Sequence, residues 1–75
     1  MSKETISAKD VVSNFNIPYH TLNYYTAIGL LIPVDKAGNK RLYNKRDVGE
    51  RLRKIARLAK EGYPLNLIRK KLLGA

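Results

Sequence analysis

Five side chains rich in hydrogen-bonding groups cluster between residues 19 and 24: Tyr19, His20, Thr21, Asn23 and Tyr24. A second cluster follows at Lys36, Asn39, Lys40, Arg41 and Tyr43, where cations alternate with hydrogen-bonding groups. Neither set can do covalent chemistry. The chain has no cysteine, and its single histidine, His20, has no second ligand at metal-binding spacing. Ser7 and Ser13 have no histidine near them in sequence, Asp10, Asp35 and Asp47 are isolated or cap-like, and no glycine-rich phosphate loop is present. The residues therefore predict a protein that is not an enzyme and needs neither metal nor cofactor. What they can do is recognise. Asparagine can read adenine bidentately or bind a phosphate, and lysine and arginine neutralise phosphates.

Charge supports that reading. Fifteen Lys and Arg face six Asp and Glu, a net charge of +9. Residues 1 to 35 hold Lys3 and Lys9 against Glu4, Asp10 and Asp35, a net of −1; residues 36 to 71 carry the remaining +10. Such asymmetry points to a polyanion, nucleic acid first. Residues 19 to 28 contain no Lys or Arg, so that segment can supply hydrogen bonds but not the electrostatic grip. The grip must come from later residues. Lys45, Arg46, Arg51, Arg53, Lys54, Arg57 and Lys60 surround much of one helix, and Arg46, Arg57 and Lys60 are the candidates to reach phosphates there. No run approaches the roughly 20 apolar residues of a membrane span. The first ten residues hold no apolar signal segment, so a cytoplasmic, nucleoid-associated protein is expected.

The elements that must position these residues can be read in order. Residues 1–5 read as a flexible tail and residues 6–73 as one domain. Ser7 caps a first helix, with Asp10 in its first turn and Val11, Val12 and Phe15 as its apolar stripe. Asn16 and Pro18 make a turn and open a second helix that runs to about Ile28 and stops at Gly29. Leu22, Tyr25, Ala27 and Ile28 are its expected inward residues, and Tyr24 lies about 100° away on the outer face with His20. Residues 30–34 and 41–43 read as short strands around a Gly38-Asn39 tip, with Leu42 pointing inward by alternation. Asn44 caps a long helix with Val48, Leu52, Ile55, Leu58 and Ala59 on its apolar side, ended by Gly62. Gly49 weakens its first turn. Leu65, Ile68 and Leu72 are the inner face of a last short helix. The fold class is mainly α, a winged helix-turn-helix of four helices with a short two-stranded wing.

From Ile6 to Leu72 the chain resembles the DNA-binding domain of MerR-type transcription regulators. "TLNYYTAIGLL", "RLYNKRDVGERL" and "AKEGYPLNLI" carry the likeness, in the family's order and at its separations. Asn23, Thr26 and Pro64 depart from the residues usual there (Arg, Glu, and Ser or Thr), as does Asn39-Lys40 before the wing arginine. The resemblance implies that the second helix lies in the major groove and that the wing reaches the adjacent backbone or minor groove. It makes Arg41 and Tyr24 phosphate contacts and Asn39 and Lys40 wing contacts. Tyr43 falls at a position that is both packed and polar in the family, and joins the candidates with its role open.

The expected function is sequence-specific double-stranded DNA binding by a transcription regulator, with RNA polymerase at a promoter as a possible further partner. The alternatives are an excisionase-like or architectural DNA-binding factor and, more distantly, a basic RNA-binding or protein-docking module. Family members continue into a long dimerisation helix. None follows Leu72 here, so the expectation is a monomer in solution that pairs on DNA.

Overall fold

Helix boundaries follow local chemistry closely. The structure, a computed structural model, describes residues 4–73. Its elements are β1 (Thr5–Ser7), α1 (Ala8–Phe15), α2 (Tyr19–Ala27), β2 (Asp35–Ala37), β3 (Lys40–Asn44), α3 (Lys45–Lys60) and α4 (Leu65–Leu73). The Asp10 amide donates to Ser7 Oγ at 3.2 Å, and the Asp47 amide donates to Asn44 Oδ1 at 2.8 Å. Each cap satisfies one of the amides that a helix start leaves unpaired. Asn16 takes a left-handed φ of 55° to end α1, and Gly29 does so at 84° just beyond α2. Pro18 opens α2 with its carbonyl, which accepts from the Thr21 and Leu22 amides at 3.1 and 3.2 Å. Replacing Ser7 or Asn44 by alanine is expected to cost about 1 kcal/mol each, read by urea denaturation.

The expected two-stranded wing is present as β2 and β3, within a larger sheet. It has three antiparallel strands in the order β1-β3-β2. Thr5, Ile6 and Ser7 pair with Asn44, Tyr43 and Leu42, and the Lys45 amide donates to the Glu4 carbonyl at 3.0 Å. Thr5 thus belongs to the sheet rather than to a loose tail; residues 1–3 lie outside the described residues. A three-residue strand is too short to show a period of two in sequence.

Two further expectations need correction. Leu30 and Leu31 are buried, but as a coil plug below α2; the second strand begins only at Asp35. A short apolar run reads alike for a strand and for a buried connection. Facing is also reversed in β3. Tyr43 is 1% exposed and pairs with buried Ile6, while Leu42 is only half-buried. The added strand β1 sets this register, and a shift by one residue exchanges the faces.

The core joins Val11 of α1, Leu22 of α2, Leu30 and Leu31, Tyr43, the α3 residues Val48, Leu52, Ile55 and Leu58, and Ile68 of α4. Tyr25 and Ile28 pack against it half-buried, whereas Ala27 and Ala59, expected inward, are exposed at the margins of their stripes. Gly49 is buried, and a Cβ placed there would lie 3.2 Å from Phe15 Cζ. The glycine lets the end of α1 sit close on α3.

Two arginines fix the far end of α2. Arg69 Nε donates to the Ile28 carbonyl at 2.6 Å, and Arg51 Nη1 donates to the Leu30 carbonyl at 3.0 Å. Part of the basic charge is therefore structural.

Candidate nucleic-acid interface

Helix α2 buries Leu22 and turns its opposite side outward. Tyr19 and Tyr24 are 56% and 53% exposed, His20 is exposed, and Thr21 and Asn23 are half-buried. The ladder between β2 and β3 pairs Lys36 with Arg41 and Ala37 with Lys40. Gly38, at a left-handed φ of 64°, makes the tight turn. Lys36, Asn39 and Lys40 are exposed and Arg41 is half-buried.

The wing is fastened to α2 at two points. Arg41 Nη2 donates to Asn23 Oδ1. Its guanidinium also lies 5.8 Å from the centre of the Tyr43 ring, within cation–π range. Deeper in, the Tyr43 hydroxyl and Thr26 Oγ1 share a 2.7 Å hydrogen bond, and Thr26 Oγ1 donates to the Leu22 carbonyl at 2.8 Å. Tyr43 is therefore a buried strut between wing and helix, not a surface contact, and its place among the candidate DNA contacts is corrected. Thr26 owes its partner to the same strut.

Asn23 is altered by its neighbour. One lone pair of its amide oxygen is engaged by Arg41, while its amide nitrogen remains a donor. Bidentate reading of adenine uses both ends of the amide. Asn23 and Arg41 consequently act as a unit, with the helix residue also orienting the wing cation.

A cleft of about 160 Å³ forms where the start of α1, the start of α2 and the wing tip meet. Ser7, Ala8, Lys9, Tyr19, Asn39, Lys40 and Arg41 line it. It unites three of the sequence candidates from the wing with one from α2. Lys9 and Ser7 were missed by the sequence reading. A signal for Lys9 existed: a cation in the first turn of a helix opposes the helix dipole, and needs another reason to be there.

The other basic candidates lie elsewhere. Arg46 forms a 3.4 Å ion pair with Glu50 and lines a groove with Phe15, Lys45, Gly49 and Arg53, at the opposite end of α1 from the cleft. Arg57 shares a shallow groove with Glu50, Arg53 and Lys54, all on α3. Lys60 is exposed at the end of the same helix. The structure does not bring these three to the cleft. Among the described residues there is no cluster of three metal-ligating side chains, and no helix is long and apolar enough to cross a membrane.

The family model of MerR HTH family regulatory proteins matches residues 6–75. No curated protein and no solved structure gives a match. The family match spans nearly the whole chain and includes every element that builds the cleft. With α1, turn and α2 as the helix-turn-helix and β2 and β3 as its wing, the chain belongs to the MerR helix-turn-helix family of regulatory proteins and is a DNA-binding regulatory domain.

Proposed function

We propose that the chain binds double-stranded DNA sequence-specifically as a transcription regulator, with α2 in the major groove and the wing on the adjacent backbone. The observation that carries this reading is the latch between Arg41 and Asn23. It ties a cation-bearing wing to an uncharged, hydrogen-bonding helix face, so that both meet one ligand in a fixed relation. Tyr19, His20, Thr21, Asn23 and Tyr24 offer donors and acceptors to the groove. Lys9, Lys36, Asn39, Lys40 and Arg41 take the phosphates. A cytoplasmic, nucleoid-associated location follows from this role, and contact with RNA polymerase at a promoter is a further part of it.

In vitro selection from random duplexes tests the reading, with single strands and structured RNA as competitors. A defined motif supports regulation. Binding without a motif favours the architectural alternative, and preference for RNA removes the reading. Tyr24→Phe is expected to leave thermal stability unchanged and to weaken duplex binding several-fold, as for one lost phosphate hydrogen bond. Normal binding by that variant removes the hydroxyl contact.

The reading also takes the domain to be a monomer in free solution. Its longest helix, α3, commits its apolar residues to the core and turns a charged side outward. Sedimentation at micromolar concentration is expected to give a single-chain mass, and a tight dimer without DNA contradicts it.

A further inference from the structure

Phe15 sits in a setting that core packing alone does not call for. Lys45, Gly49 and Arg53 follow one another in α3 at intervals of four, so they form one stripe along the helix. A cation stands at each end of the stripe and the glycine between them. The Phe15 ring of α1 lies over that glycine: a Cβ on Gly49 would be 3.2 Å from Phe15 Cζ and 3.3 Å from Cε1. Phe15 is only half-buried, so apolar surface stays open to solvent there. These residues line an open groove of about 390 Å³, with Arg46 and Glu4.

The cations of the groove are loosely engaged. Arg46 meets Glu50 at 3.4 Å and Lys45 meets Glu4 at 3.7 Å, and none of the four side chains is less than 48% exposed. Such surface pairs contribute little to stability, so another carboxylate can replace the partner at small cost. Among the described residues, Arg53 makes no ion pair. Lys45 and Arg46 also open α3, where a cation opposes the helix dipole. Asn44 and Arg46 line a second, adjoining hollow of about 420 Å³, whose one apolar wall is the exposed Val34. Apolar surface thus lies on both sides of a cationic ridge.

This arrangement indicates the class of ligand. A duplex backbone has no use for an aromatic floor, and Glu4 beside the cations repels phosphate. A single strand stacks successive bases on several aromatic rings, and Phe15 is the one aromatic among the described residues lining the groove. A peptide can use both features, with an apolar anchor in the hollow and charges at the rim.

We propose that this groove docks an acidic segment of a partner protein. An apolar side chain of the segment seats against Phe15, and its carboxylates meet Lys45, Arg46 and Arg53. The groove shares no residue with the cleft at the wing, so the segment and a duplex can be held together. The proposal goes beyond the DNA-binding reading and does not depend on it.

Peptide titration tests it with the full chain. The probe is a fluorescent peptide of about ten residues, with Asp and Glu flanking a central Phe-Leu pair, followed by anisotropy. One comparison peptide is polyglutamate of equal charge; the other keeps Phe-Leu but carries Asn and Gln for the acids. The wild-type chain is expected to bind the probe about tenfold or more tighter than either. Arg53→Glu, at an exposed position, should weaken probe binding by about tenfold or more. Lys70→Glu makes the same charge change on α4 and should stay within about threefold of wild type. Amide NMR spectra of the wild-type chain should shift first at Phe15, Gly49 and Arg53. Polyglutamate binding as tightly as the probe overturns the proposal, because charge alone is then recognised. Equal loss in the two variants, or shifts centred away from Phe15, overturns it as well. So does single-stranded or duplex DNA that displaces the probe and shifts the same amides, since the groove is then a nucleic-acid surface. A chain that binds duplex but not the probe sinks this proposal alone. Selective probe binding at Phe15 by a chain that binds no duplex upholds it and sinks the DNA-binding reading.

Discussion

Tyr43→Ala is expected to lose about 3–5 kcal/mol of stability, most of what a domain of this size possesses. Tyr43 is the largest fully buried side chain, and it packs where β3 meets the helices. Its removal leaves a cavity and strips Thr26 of its partner at the foot of the wing. Tyr43→Phe keeps the ring and removes only the hydroxyl, so it should cost about 1 kcal/mol. Urea denaturation separates the two. Equal losses would mean that the hydrogen bond, not the packed ring, dominates. A loss below about 1 kcal/mol in Tyr43→Ala would contradict the burial itself. Tyr25→Ala should do less harm, because Tyr25 only flanks the core.

The second large effect belongs to Arg41. Arg41→Ala should weaken binding to all duplexes by about ten- to a hundredfold, and lower the dependence of log affinity on log salt by about 1. On the proposed function, the mutation removes a phosphate contact together with the bond to Asn23 that aims the wing. Arg41→Lys should recover the salt slope but not the full affinity, since an ammonium cannot fork between Asn23 and a phosphate as a guanidinium can. Asn23→Ala should barely change the slope. It should relax discrimination at one or two base pairs, by about 1–3 kcal/mol for a good contact. Because the two residues touch, the double variant should lose less than the sum of the single losses. Affinity against salt, on selected and scrambled duplexes, checks all four variants. Strict additivity would dissolve the latch, and a specificity loss confined to Arg41 would move base reading to the wing.

Local chemistry explains which parts of the fold were legible. Ser7 with Asp10, Asn44 with Asp47, Asn16 and Gly29 mark boundaries through contacts within a few residues, so the sequence alone displays them. The apolar side of α3 is equally plain, because its core residues repeat over four turns. What escaped depends on pairing between distant residues. β1 exists because Ile6 meets Tyr43, and only that register reveals which side of β3 is buried. The placement of Lys9 beside the wing tip is likewise tertiary. The family likeness located the wing arginine, but the bond from Arg41 to Asn23 joins positions far apart in the chain and had no sequence signal.

On the proposed function, Arg69 gives α4 a mechanical part in recognition. Its guanidinium holds the carbonyl of Ile28, the C-cap of α2, although the two lie 41 positions apart in sequence. Helix α2 is thus held by the wing at Asn23 and Thr26 and by α4 at Ile28, so its supports are gathered in its second half. Its tilt is then a property of the assembled domain. On the proposed function, loosening α4 frees the end of α2, so the accuracy of reading is coupled to how firmly α4 is seated.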